Sequence, residues 1–182
     1  MKKNFKNFLS GKIVDLVTID KNFVENTDWF DWINFELNTE FLTVGNFPNT
    51  LSHQRKYFSE QIVGNKRIQL GIVTKHDRNL LGVISLYSIN SNNRDAFIST
   101  FFDRRKKIKN SLSIFVDVHK IIIGHAFKKM NLRRITSTTI SKDLDDLISK
   151  ILGFKKEGTM KKKVFKNNKY HDLYISSIIK NK

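Results

Sequence analysis

The residues best placed to do chemistry in this chain stand where a strand pattern gives way to a helix pattern. Phe101-Phe102-Asp103 ends an alternating apolar run, and Arg104, Arg105, Lys106, Lys107 and Lys109 crowd the loop that follows. A long apolar helix pattern then opens at Asn110 or Ser111. A helix N-terminus offers unsatisfied N–H groups and the positive end of the helix dipole, which together suit phosphate or pyrophosphate. The amides of Ser111 to Phe115 would receive such an anion and the basic loop would attract it. A plain structural role stays open beside this one, since any buried helix needs an N-terminus and Asn110 or Ser111 can simply cap it.

Other chemistries find no support. The histidines are His53, His76, His119, His125 and His171. His119 and His125 are six apart, on different faces of one helix, and no HExxH or other ligand spacing occurs, so no metal site is expected. There is no Walker loop, no GxGxxG and no GxSxG elbow. With no cysteine, disulfides, thiolate metal sites and cysteine nucleophiles are excluded, and a cytoplasmic location is expected.

The elements that must position the junction can be read from periodicity and turn chemistry. Residues 12–19 read as a strand, and Thr27 to Phe41 as a helix with Phe30, Ile33, Leu37 and Phe41 at helical spacing. Pro48-Asn49-Thr50 opens a second helix running to Ile62. Two strands, Arg67 to Thr74 and Leu81 to Ile89, flank a turn at residues 76–79, and Ala96 to Asp103 is the next strand. After the apolar helix come a Thr-rich strand, Leu132 to Ile140, and a helix capped by Ser141 with Asp143, Asp145 and Asp146 near its positive end. Gly153 suits the left-handed position that closes it. Met160 to Lys166 and Tyr170 to Ile179 form a hairpin around Asn167-Asn168. The order β-α-α-β-β-β-α-β-α-β-β predicts an α/β fold, a mixed sheet with helices on both faces.

At 182 residues, 40% hydrophobic and 27% charged, one domain with its own core is expected over 1–182, with 1–10 flexible or peripheral. No apolar run is long enough for a membrane helix, and the basic N-terminus lacks the apolar core of a signal peptide. The net charge of +16 is lopsided: residues 1–90 carry 11 Lys+Arg against 9 Asp+Glu, residues 91–182 carry 22 against 8. Such a field favours an anionic partner: a phosphorylated cofactor, a nucleotide-linked substrate or nucleic acid. A Lys-rich solvated surface explains many of these charges equally well.

The run HAFKKMNLRRI, then KILGFKKEG, then NNKYHDLYISSI resembles the GNAT-type N-acetyltransferases, in particular the branch with ribosomal-protein N-terminal and amino-sugar acetyltransferases. The matching parts are Ala126-Phe127, Leu152-Gly153-Phe154, Glu157-Gly158 and Tyr170-His171-Asp172, supported by GKIVDLVTID, DWFDWINFE, LLGVISLYSIN and DAFIST. The resemblance spans residues 10–179 and rests on the order and spacing of these parts. It implies a GNAT-like, mostly antiparallel sheet with helices on both faces, acting as monomer or homodimer.

The resemblance also implies acetyl-CoA as co-substrate, held at the strand-loop-helix junction. The implied coenzyme residues are Phe101, Phe102 and Asp103, whose backbone amides would polarise the thioester carbonyl, then Asn110, Ser111, Leu112, Ser113, Ile114 and Phe115, and Lys142. Ser113 and Phe115 stand where the family loop carries glycine, Lys142 where it carries asparagine, and Ser149 where it carries the tyrosine acid that protonates the leaving thiolate. Glu36 and Glu40 are the implied candidate bases, because the first helix borders the acceptor in this family. A solvent-facing or purely structural role stays open for Ser149, Glu36 and Glu40. Trp29 and Trp32 read as core, with a substrate-stacking platform as the second reading. Tyr170 reads as a hairpin residue, with substrate contact second. The expected reaction is acetyl transfer to the amine of a small or nucleotide-linked molecule, plausibly an amino sugar. The alternatives are a protein N-terminus as acceptor, or a noncatalytic module that binds nucleic acid.

Overall fold

The computed structural model describes residues 5–64 and 67–180. β-branched and aromatic stretches form eight strands: β1 (Asn7–Ser10), β2 (Val14–Thr18), β3 (Arg67–Thr74), β4 (Leu80–Asn90), β5 (Asp95–Phe102), β6 (Arg134–Thr139), β7 (Lys155–Lys166) and β8 (Lys169–Ile179). They make one sheet in the order β1-β2-β3-β4-β5-β6-β8-β7. Every neighbouring pair is antiparallel except β5 and β6, which are parallel. The helices are α1 (Lys21–Asn26), α2 (Glu36–Thr39), α3 (Leu51–Tyr57), α4 (Ser111–Lys128) and α5 (Lys142–Leu152). The expected α/β class and mixed sheet are therefore observed.

Each face of the sheet buries its own core. On one face, Ile114, Val118, Ile122 and Ala126 of α4 and Ile148 of α5 pack on Leu16, Ile72, Ile84, Leu86, Ile98 and Ile135. On the other, Phe23, Val24, Trp29 and Trp32 pack on Val17, Val73 and Val83. α4 also anchors the sheet edge. The buried Asp117 carboxylate accepts from the amides of Lys12 (3.1 Å), Ile13 (2.7 Å) and Val14 (3.1 Å), groups that precede or open β2. That is why β2 is shorter than the expected strand over 12–19. Burial alone would push the Asp117 carboxyl up, but the three amide donors outweigh it and hold it below the usual carboxylate range. Asn7–Ser10, inside the stretch expected to be peripheral, forms the edge strand β1.

The single helix expected over residues 27–41 is three short pieces. Asp20 caps α1, accepting from the Phe23 amide at 2.8 Å. Thr27 does not start a helix. Its hydroxyl donates back to the Phe23 carbonyl (2.8 Å) and accepts from the Trp29 amide (3.3 Å). A 3₁₀ turn, Trp29–Asn34, follows and then α2. In a 3₁₀ turn residues three apart lie directly above one another, so Trp29 and Trp32 face the same core. The expected second helix is α3 extended by a π-helical turn, Phe58–Val63, with Thr50 as its cap. Ser141 and Gly153 (φ +77°) bound α5 as expected. No helix among the described residues is long and apolar enough to cross a membrane.

Candidate active site at the parting of two strands

β5 and β6 pair only from Asp95↔Arg134 to Ile98↔Ser137. Beyond that point β5 runs on through Ser99 to Phe102, bonded to β4 alone, and a gap opens between the two parallel strands. The Asp103 amide donates to the Leu81 carbonyl at 2.9 Å. Antiparallel ladders alternate, so the Phe101 amide also turns to β4 while those of Thr100 and Phe102 turn to the gap. Of the expected amides of Phe101-Phe102-Asp103, only that of Phe102 faces the gap, with that of Thr100 beside it; those of Phe101 and Asp103 are turned to β4.

The loop from Asp103 delivers α4 to this gap. Its N-cap, Asn110, is left-handed (φ 55°, ψ 37°) and makes no side-chain capping bond. α1, α3 and α5 are each capped by a side chain; α4 and the single turn α2 are not. The first amide bonded back along α4 is that of Ile114, to the Asn110 carbonyl at 3.0 Å. Ser111, Leu112 and Ser113 are exposed around these open amides, whereas Ile114 is buried. This arrangement fits an anion better than it fits a merely closed helix end. Phe115 turns away onto the His119 ring, 4.0 Å between centroids.

His119, whose sequence spacing speaks only against a metal site, also stands at this junction. Its Nδ1 lies 2.8 Å from the Phe115 carbonyl and its Nε2 3.0 Å from the Thr100 hydroxyl. A carbonyl only accepts, so Nδ1 carries the proton and Thr100 donates to Nε2. The ring thus ties the first turns of α4 to the unpaired end of β5. Burial pushes its pKa down to about 4, against a smaller opposing effect of the Phe115 carbonyl.

The side chain of Asp103 is unavailable to a ligand. It is fully buried and accepts from Arg105 Nε (2.7 Å), Arg105 Nη2 (2.9 Å) and Asn38 Nδ2 (3.1 Å). Burial alone would raise its pKa, but Arg105 and Asn38 outweigh that and leave it lowered. Asp103 is thus corrected from coenzyme contact to anchor. Arg105 also reaches Asp28 at 2.9 Å, and Arg104 pairs with Glu40 at 2.6 Å while its amide donates to Asn38 Oδ1 at 2.7 Å. The basic loop is therefore partly spent on tying down residues 28–40. Lys107 and Lys109 make no ion pair among the described residues.

The remaining expected residues divide. Glu36 and Glu40 lie at the two ends of α2, Glu40 ion-paired and Glu36 exposed, 3.5 Å from Asn167 Nδ2. Trp29 and Trp32 are 7% and 1% exposed, so the stacking-platform reading is corrected to core; Phe101 covers one face of Trp32. Tyr170 is exposed and leans on Phe165. Lys142 is exposed in the first turn of α5. The Ser149 hydroxyl is buried with no hydrogen-bond partner among the described residues, so it faces inward and not to solvent.

A second unexpected residue is Lys166, at the tip of the β7–β8 hairpin. It is 9% exposed, and its ammonium donates to the carbonyls of Thr39, Leu42 (2.8 Å) and Val44 (3.3 Å). It therefore clasps the loop after α2, while Arg104 holds the same segment from the other side. Nothing local in the sequence marks it, for its partners lie more than 120 residues away. Next to the gap, on the face opposite α4, the sheet carries a depression of about 530 Å³ lined by Phe97, Thr136, Thr138, Leu173 and Ile175 among others. A molecule held on the α4 side and another in this depression would meet through the gap. Among the described residues no cluster of His, Cys, Asp or Glu could hold a metal.

Comparison with known proteins agrees with this geometry. Residues 27–175 match the acetyltransferase (GNAT) domain family. The chain is 26% identical over 157 residues to a probable N-acetyltransferase, YjcK, of Bacillus subtilis (strain 168), covering 85% of this chain and 83% of that one. Its fold is similar to that of a spermidine N-acetyltransferase from Vibrio cholerae solved with CoA and spermine (TM-score 0.77, 16% identity, 91% of this chain and 95% of that one). It is also similar to RimL, a ribosomal L7/L12 alpha-N-protein acetyltransferase solved with CoA (TM-score 0.79, 18% identity, 92% and 94%).

Proposed function

We infer that this chain, which belongs to the GNAT acetyltransferase family and is an N-acetyltransferase, moves an acetyl group from acetyl-CoA to a primary amine carried on an anionic molecule. The uncapped end of α4 beside the open strand gap carries this reading, and it is a feature that a noncatalytic nucleic-acid module does not require. The open amides of Ser111, Leu112 and Ser113 would hold the pyrophosphate, with Lys107 and Lys109 supplying charge. Bound there, the coenzyme supplies an acetyl thioester. The Phe102 amide faces the gap and can donate to an oxygen that gains negative charge there. The acceptor nitrogen must be neutral to attack. Glu36, not consumed by an ion pair, is assigned to take its proton through solvent. Ser149, whose buried hydroxyl has no other partner among the described residues, is assigned to donate a hydrogen bond to the departing sulfur, which takes its proton from solvent.

The charge on the acceptor follows from electrostatics. Asp28, Asp31, Glu40 and Asp103 are engaged by Arg104 or Arg105, which leaves Glu36 and, in the lining of the depression, Asp95 without an ion pair among the described residues. A polycationic amine would therefore approach a basic surface with few free carboxylates, whereas an anionic molecule bearing one amine would be drawn to it. Among such acceptors an amino sugar bearing phosphate or a nucleotide fits the depression of about 530 Å³. A polypeptide N-terminus is the second reading, favoured by the exposed apolar side chains of Phe47, Phe165 and Tyr170. Release of free thiol from acetyl-CoA, measured across amino-sugar phosphates, N-terminal peptides and spermidine, tests both. Fastest turnover of spermidine would refute the charge argument, and no thermal stabilisation by millimolar CoA would refute the coenzyme site.

A further inference from the structure

One arginine on the sheet face opposite α4 stands beside an open depression without an ion pair. Arg55, Arg78, Arg104, Arg105 and Arg134 each pair with Asp or Glu, whereas among the described residues Arg94, which is taken up by Asn131, Arg133 and Arg67 do not. Arg67, the first residue of β3, makes no ion pair among the described residues. Its Nη1 donates to the Tyr57 hydroxyl at 2.6 Å, which donates on to Gln69 Oε1 at 2.7 Å. Its Nε is buried and without a partner. The guanidinium carbon lies 5.2 Å from the Tyr57 ring centre and 5.5 Å from that of Tyr87. Two rings and a hydrogen bond therefore hold the fork in place. Beside it is an open depression of about 450 Å³ where His53, Lys56 and Gln61 join it, with Glu60, 3.9 Å from Lys56, as the one carboxylate.

The strand register connects this cation to the gap. Arg67 pairs with Tyr87, Tyr87 with Phe97, and Phe97 with Thr136, so the four form one row across β3, β4, β5 and β6. The Tyr87 and Phe97 rings are 5.6 Å apart, and Phe97 and Thr136 line the depression beside the gap. Phe102, whose amide faces the gap, lies two strands over and five residues along from Arg67. Strand spacing and rise put that separation on the order of 20 Å. The two aromatic rings make a floor between the cation and the point where β5 and β6 part.

We propose that Arg67, with Lys56 and His53 at its side, is the site that receives an anionic group of an extended acceptor, phosphate or carboxylate, on the order of 20 Å from the amine being acetylated. This proposal rests on the N-acetyltransferase reading of the gap. A guanidinium fork suits both oxyanions, and its fixed geometry converts a general preference for anions into a fixed spacing between anion and amine.

The test is titration of CoA-saturated protein with two matched pairs of C-terminally amidated hexapeptides, which reach about that distance when extended: Ala-Gly-Ser-Gly-Ser-Glu against Ala-Gly-Ser-Gly-Ser-Gln, and Ala-Gly-Ser-Gly-Ser-phosphoserine against Ala-Gly-Ser-Gly-Ser-Ser. In the wild type the charged member of at least one pair binds roughly tenfold tighter or more, the size expected of a charge-assisted hydrogen-bond pair. Which pair shows the difference identifies the oxyanion. Arg67→Gln removes the difference and leaves binding of CoA and of the uncharged peptides unchanged, while Arg67→Lys retains part of it. Should Arg67→Gln not fold, inorganic phosphate added to the wild type displaces the charged member and not the uncharged one. Equal binding within both pairs, a difference that survives Arg67→Gln, or displacement of the uncharged peptides by phosphate overturns the proposal. Absence of thiol release from acetyl-CoA with every one of these amines, while charge-dependent binding persists, overturns the transfer reading and supports the anion site alone.

Discussion

His119 makes the link between α4 and the free end of β5 sensitive to pH, and the size of the effect follows from its burial. The unfolded chain binds a proton at this imidazole below pH 6.5, whereas in the folded protein burial lowers the pKa to about 4. Between those values the unfolded state binds more protons, so stability rises with pH and is lost as pH falls from 6.5 towards 4. A shift of that size is worth roughly 3 kcal/mol in total, of which about 2.5 kcal/mol is lost between pH 7.5 and pH 4.5. The perturbation that isolates it is His119→Gln, which does not titrate and can still hydrogen-bond Thr100. Asp103 and Asp117, whose carboxyls are lowered, also cost stability in acid, but they do so in both proteins and cancel in the difference. Urea unfolding of both proteins over this pH range should give a difference in unfolding free energy that narrows by roughly 2.5 kcal/mol on acidification. Because the ring holds the turn that presents Ser111 to Ser113, CoA affinity of the wild type should fall over the same range and that of the variant should not. Parallel pH profiles for the two proteins would refute the reasoning.

Three further outcomes are expected. Asp117→Ala leaves three backbone amides near the β1–β2 turn without their acceptor and should lower stability by about 2–4 kcal/mol in urea unfolding; an unchanged midpoint would mean that the edge strands are anchored elsewhere. Gly82→Ala would place its Cβ 2.2 Å from the Phe101 carbonyl oxygen, a backbone atom, so β4 and β5 must separate next to the coenzyme strand. Stability should fall by roughly 3 kcal/mol and CoA binding with it. Lys166→Met releases the carbonyls of Thr39, Leu42 and Val44, and should raise the KM of the acceptor several-fold (roughly 1 kcal/mol of lost ordering) with the Kd of CoA unchanged, while Lys166→Arg restores part of the loss. An equal effect on both substrates would show the clasp to be structural only.

Much of the scaffold is local information, and it was legible as such. The Ser141 cap, the acidic first turn of α5 and Gly153 all lie within one stretch, and the structure places each in its expected role. Periodicity failed at residues 27–41 for a physical reason: apolar residues at 30, 33, 37 and 41 fit a helix, but Trp29 and Trp32 also both had to reach the core. A three-residue turn accomplishes that where an α-helix would splay them apart. At the candidate site, residue types point to the place and partners decide what each side chain is free to do. Asp103 is made an anchor by Asn38, 65 positions earlier, and Thr100 is fixed by His119. The five cations before α4 look alike in the sequence, yet Arg104 and Arg105 are occupied by carboxylates of residues 28–40, and the basic stretch is divided between bracing that segment and attracting an anion. The same division explains why Arg67, an unremarked residue at the start of a strand, matters. A cation acquires a function towards a ligand when the fold gives it rings and hydroxyls to hold it still and withholds the carboxylate that would satisfy it. That condition is set by register across β3, β4 and β5 and cannot be read from any one of them alone.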